Sequence, residues 1–116
     1  MKQLDVLVRK FYAVSVIAHV AHVNTRSFAQ HEALGDFYDK VNEYKDRLIE
    51  YLLGEGRIAK VEASMLECGG EVIAEATALK ELFCKTATEL EDEALENMAG
   101  EFEEAVGKLK FLFLLK

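Results

Sequence analysis

The amino-acid sequence predicts an all-α chain folded as a four-helix bundle. Three observations carry this. The 116 residues contain no proline and 51% of them are apolar. Ala, Leu, Glu and Lys, which lose little on entering a helix, are plentiful. Apolar residues recur at helical spacing in four stretches divided by short polar or glycine breaks. A chain of this length has room for one core, so residues 1–116 are read as a single domain.

The first helix is expected from Gln3 to His22, with Leu4, Leu7, Phe11, Val14, Ala18 and Ala21 on its buried face. Val8, Ile17 and Val20 broaden that face. A stripe so wide calls for contact on two sides, one inside the bundle and one with another subunit. The apolar run from Phe11 to Val23 reads as core: it is shorter than a membrane span, contains His19 and His22, and follows Asp5, Arg9 and Lys10.

Asn24, Thr25 and Ser27 form a polar break, and the second helix begins near Ser27. Leu34, Phe37, Tyr38, Val41, Leu48, Ile49 and Leu52 keep helical register to Leu53, where Gly54 and Gly56 stop it. A helix of about 27 residues is roughly 40 Å long. Between Gly54 and Gly70, Ile58, Val61, Met65 and Leu66 suggest one helical piece before a break at Gly69-Gly70. A connection of that length, joining long helices, suits the crossover between helices two and three of a ferritin-like bundle. The third helix is expected over Glu71 to Thr86. The fourth is expected from Thr88-Glu89-Leu90-Glu91, a capping-box pattern, to the C-terminus. Its ending, Phe111-Leu112-Phe113-Leu114-Leu115, is apolar all round and needs burial between helices or subunits.

Charge narrows the function. Residues 1–57 carry eight basic and eight acidic side chains and 58–116 carry six and thirteen, so the net −7 belongs wholly to the second half. Without a basic stripe or tail to neutralise phosphates, direct nucleic-acid binding is not expected. Cys68 and Cys84 belong to no ligand or redox motif and read as reduced structural thiols of a cytoplasmic protein.

All three histidines lie within the first 31 residues. His19 and His22 are one turn apart at the end of the first helix. On the second, Asp46 lies about 60° and Glu50 about 100° around the axis from His31, so the three share one flank beside the Leu34, Val41, Leu48 stripe. Imidazole and carboxylate together suit iron, manganese or zinc. With Lys45 and Arg47 alongside, the same carboxylates also describe a solvated face, and no self-contained motif such as His-Glu-x-x-His is present.

The stretch from His19 to Glu50, HVAHVNTRSFAQHEALGDFYDKVNEYKDRLIE, resembles the Dps (starvation-induced mini-ferritin) family. That family shows His-x-x-His-Trp-Asn at the end of its first helix, then a loop to Phe, then His-Glu, Asp, Tyr and Asp-x-x-x-Glu on its second. His19, His22, Asn24, Phe28, His31, Glu32, Tyr38, Asp46 and Glu50 match in kind. Phage-encoded ferritin-like proteins look closer still, sharing the short loop, the Asn-Thr-x-Ser-Phe-Ala sequence and an apolar terminus. The resemblance implies an iron site between two subunits, with His22 and His31 of one chain acting with Asp46 and Glu50 of the other, ferroxidase chemistry and iron storage. It implies a homo-oligomer, a dimer at least, with dodecamer and other closed forms left open, and neither nucleic acid nor membrane as partner. Three departures stand out. The loop between His22 and His31 is three residues shorter, the family's Trp is Val23, and the carboxylate expected one turn after His31 is Gly35, with Asp36, a further candidate ligand, adjacent but about 100° away around an ideal helix. The competing expectation is a non-enzymatic helical assembly or interaction protein whose metal site has decayed. A small regulator binding through its C-terminal helix is a third.

Overall fold

A computed structural model of the chain describes residues 2–62 and 70–115. All its regular structure there is helical: α1 (Lys2–Asn24), α2 (Phe28–Gly54), α3 (Val72–Leu90) and α4 (Glu93–Leu114). The four-helix, all-α expectation therefore holds, and α1 and α2 end within two residues of where periodicity places them.

Each helix that follows a break starts on a side-chain cap. Ser27 Oγ accepts from Gln30 N at 3.2 Å, Glu71 accepts from Ile73 N and Ala74 N, and Asp92 accepts from Leu95 N. These bonds satisfy amides that have no partner inside the helix. The capping box expected at Thr88 is not used. Residues 88–90 are instead the last turn of α3, Glu91 turns the chain in a left-handed conformation at φ 50°, and Asp92 caps α4. The physical reason is burial: Thr86 and Ala87 sit in the core and hold α3 helical past the expected stop. The helical piece expected after Gly54 is absent from 57–62, which follow no helix, while Met65, Leu66, Cys68 and Gly69 lie outside the described residues.

Neighbouring helices run antiparallel. Ser15 donates to Asn42 at 2.8 Å across α1 and α2, and Tyr44 donates to Glu101 across α2 and α4. Lys80 pairs with Glu103 across α3 and α4, and Lys10 with Glu75 across α1 and α3. Each of α1 and α4 thus packs on both α2 and α3, which occupy opposite corners and point the same way.

The core is built on one aromatic cluster to which every helix contributes. Phe102 lies 5.2 Å from Phe11, 5.9 Å from Tyr44 and 6.1 Å from both Phe37 and Phe83, measured between ring centroids. Leu4, Leu7, Leu34, Leu48, Leu52, Leu79, Leu95 and Leu109 extend it along the bundle and are also fully buried. At the α3–α4 turn Asp92, 8% exposed, accepts from Tyr51 Oη at 2.9 Å and meets Arg57 at 3.2 Å. This knot ties the segment leaving α2, with its buried Ile58, to the start of α4.

The broad stripe of α1 divides. Val8 and Ile17 are buried in the bundle as expected, whereas Val20 is exposed, along with Val6, Val16 and Val23. Among the described residues one helix, Gln3–Asn24, is long and apolar enough to cross a membrane, and its inner side supplies Leu4, Leu7, Phe11, Val14 and Ala18 to the core. Phe111, Leu114 and Leu115 at the end of α4 are also exposed in the single chain.

Candidate metal site

Only three residues, 25–27, separate α1 from α2, so the last turn of one helix and the first turn of the next are pressed together. Thr25 Oγ1 accepts from Ser27 N and donates to Gln30 Oε1, and Ser27 caps α2, so the corner is held by its own side chains. His22 and His31 face each other across it. Their rings stack with centroids 3.9 Å apart and planes 18° from parallel.

Each ring is also bonded to the other residue's backbone. His22 Nδ1 lies 2.8 Å from the carbonyl oxygen of His31, and His31 Nδ1 lies 2.9 Å from that of His22. A carbonyl oxygen only accepts, so both Nδ1 atoms must carry the proton and donate. In a neutral imidazole this leaves a bare lone pair on Nε2. A backbone carbonyl holding one ring nitrogen while the other stays open is the arrangement by which proteins orient histidine ligands.

Around the pair is an open recess of about 450 Å³, lined by His19, His22, Val23, His31, Glu32, Gly35, Asp36, Tyr38 and Asp39. Tyr38 packs its ring 4.8 Å from that of His19. Asp36 is exposed on the rim and makes no ion pair among the described residues. Gly35, one turn after His31, does more than lack a side chain: a Cβ there would lie 3.0 Å from His22 Cε1 and 3.4 Å from His22 Nδ1. The His22 ring occupies the space above it.

The five residues expected at the site are thus divided. His22, His31 and Asp36 border one recess. Asp46 and Glu50 are exposed on α2, 15 and 19 residues beyond His31, or roughly 22 and 28 Å along the helix. Among the described residues no group of three or more His, Cys, Asp or Glu is close enough to hold a metal ion. One chain therefore supplies two oriented imidazoles and, at a distance, two outward carboxylates. The reciprocal bonding of the pair was not foreseen from the sequence. Its signals were the nine-residue separation across a three-residue corner and a glycine one turn after His31. No family model, curated protein or solved structure matches the chain.

Proposed function

We propose that the protein is a ferritin-like, Dps-type mini-ferritin that takes Fe(II) as substrate between two subunits and oxidises it. The observation that carries this reading is the His22–His31 pair, whose two Nδ1–H bonds leave two Nε2 lone pairs available at one corner. The donor set fits the ion: imidazole with carboxylate suits iron. Asp46 and Glu50 are exposed and enter no ion pair among the described residues, so both are available to a second chain. In this reading His22 and His31 of one subunit and Asp46 and Glu50 of the other bind the ion, with Asp36 at the rim. Fe(II) gives one electron to oxygen or peroxide and leaves as Fe(III).

The finer topology belongs to the same proposal. Parallel α2 and α3 at opposite corners support a lengthwise crossover between them, as in ferritin-like bundles. Exposed Val16, Val20, Val23 and Phe28, adjoining the histidine corner in sequence, support a homo-oligomer that covers them. The assembly acts in the cytoplasm, without nucleic acid or membrane as a direct partner. A second reading, a helical assembly without iron chemistry, is favoured by the lack of a three-ligand group within the described residues.

Aerobic addition of Fe(II) separates the two. The wild-type chain is expected to oxidise it, and a His31→Ala, Asp46→Ala double variant to do so at least about tenfold more slowly with assembly size retained. Equal rates would rule out the proposed site and leave the assembly reading.

A further inference from the structure

We propose that Gly35 is the positioning residue of the histidine corner: the absence of a side chain there is the slot that holds the His22 imidazole. The ring then stands where a first-turn carboxylate would stand, and restoring that carboxylate weakens ion binding rather than repairing it. The first half of this proposal rests on geometry alone, and the second rests on the metal-binding reading above.

Residues 31 and 35 are one turn apart and lie on the same face of α2. The ring stacked on His31 therefore also covers residue 35. The Cβ distance of 3.0 Å to His22 Cε1 is tighter than ordinary van der Waals contact, so any side chain at 35 requires the ring to give by a few tenths of an ångström. The slot and the bonding are coupled. His22 places Nδ1 against the carbonyl of His31 while Cε1 and Nδ1 of the same ring lie 3.0 and 3.4 Å from the Cβ position of residue 35, and the answering bond from His31 Nδ1 to the carbonyl of His22 spans the same corner. Bulk added at 35 pushes on the ring that makes the first bond, and a displacement large enough to break that bond frees the imidazole to exchange its proton between the two nitrogens.

The glycine is otherwise unfavourable. It sits inside a 27-residue helix, where glycine costs roughly 0.5–1 kcal/mol relative to alanine, and its backbone is ordinary helix without a positive φ. Conformational freedom does not explain it, whereas the space taken by His22 does. Gly35 thus stands at the centre of the corner, with an oriented imidazole in the place where the family resemblance expects a carboxylate. The donor set becomes richer in imidazole and carries less negative charge, a combination suited to iron, cobalt or zinc over magnesium or calcium.

Nitrogen NMR of the imidazoles and titration with Co(II) as the probe ion test both halves. In the wild-type chain His22 and His31 should both show protonated Nδ1 and bare Nε2. In Gly35→Asp the His22 signature should revert to a mixture of tautomers, and the Co(II) dissociation constant should rise at least about tenfold. Gly35→Ala, which gains helix propensity and so keeps the fold, should shift the His22 ring resonances. Unchanged tautomers in Gly35→Asp, or their absence in the wild type, would overturn the slot. Tighter Co(II) binding by Gly35→Asp would overturn the exchange of carboxylate for imidazole. A wild-type chain with the expected tautomers and no affinity for Co(II) would overturn the metal reading and its consequence here, while upholding the slot.

Discussion

Phe102→Ala is expected to lower the stability of the protein by about 3–5 kcal/mol, the usual cost of emptying a large aromatic site in a core. The ring is wholly buried and is the hub through which the four helices meet, touching Phe11 of α1, Phe37 and Tyr44 of α2, and Phe83 of α3. Phe11 and Phe83 also hold each other edge to face at 5.4 Å, so neither can move into the gap without disturbing that contact. A domain of this size is held by only about 5–15 kcal/mol, so the loss is a large part of the total. Thermal unfolding should show the midpoint falling by more than about 10 °C. Phe102→Leu, which keeps most of the volume, should lose less than half as much. A midpoint unchanged in Phe102→Ala would mean that the aromatic hub is not the centre of the core.

Asp92→Ala should cost roughly 2–4 kcal/mol, combining a lost helix cap with lost charge-assisted bonds. The carboxylate caps α4 through Leu95 N, accepts from Tyr51 and pairs with Arg57, three groups that have no common position in the sequence. Burial alone would raise its pKa. The Leu95 N–H, the Tyr51 hydroxyl and the Arg57 charge outweigh that effect and hold it below the ordinary aspartate value. Because the folded pKa is the lower one, the contribution is present above about pH 4 and disappears as pH falls through the folded value. Urea unfolding of wild type and variant should therefore differ at neutral pH and converge in acid. A gap independent of pH between 7 and 2 would exclude the carboxylate as its source.

How much of this was legible in the sequence depends on how far each feature reaches along the chain. Helices α1 and α2 were legible because their evidence is local: three-and-four spacing from Leu4 to Ala21, Ser27 at the start of α2, Gly54 at its end. The α3–α4 boundary was misplaced because Thr88-Glu89-Leu90-Glu91 carries the full capping-box pattern, whereas Asp92, with Leu95 three places on, caps α4 without the box. The choice was made by the burial of Thr86 and Ala87 and by Tyr51, 41 residues away from Asp92.

The site divides along the same line. That the histidines bracket the junction of α1 and α2 was readable, as was the shared flank of His31, Asp46 and Glu50. The meaning of Gly35 was not. Read along one helix it is a missing ligand, and only the ring of His22, brought in from the preceding helix, turns it into a slot. Nor does a helical wheel report distance along the axis, which leaves Asp46 and Glu50 exposed far from the histidines they accompany in projection.

Whether iron is handled between two chains is tested most directly by mixing two inactive proteins. His31→Ala retains Asp46 and Glu50, while Asp46→Ala, Glu50→Ala retains His22 and His31. If each site draws on two subunits, unfolding and refolding the two variants together at equal amounts should restore about a quarter of the wild-type rate of Fe(II) oxidation. Half the pairs would then be mixed, and each mixed pair would hold one intact site. A mixture as inactive as its components, from variants that assemble like the wild type, would contradict the shared site.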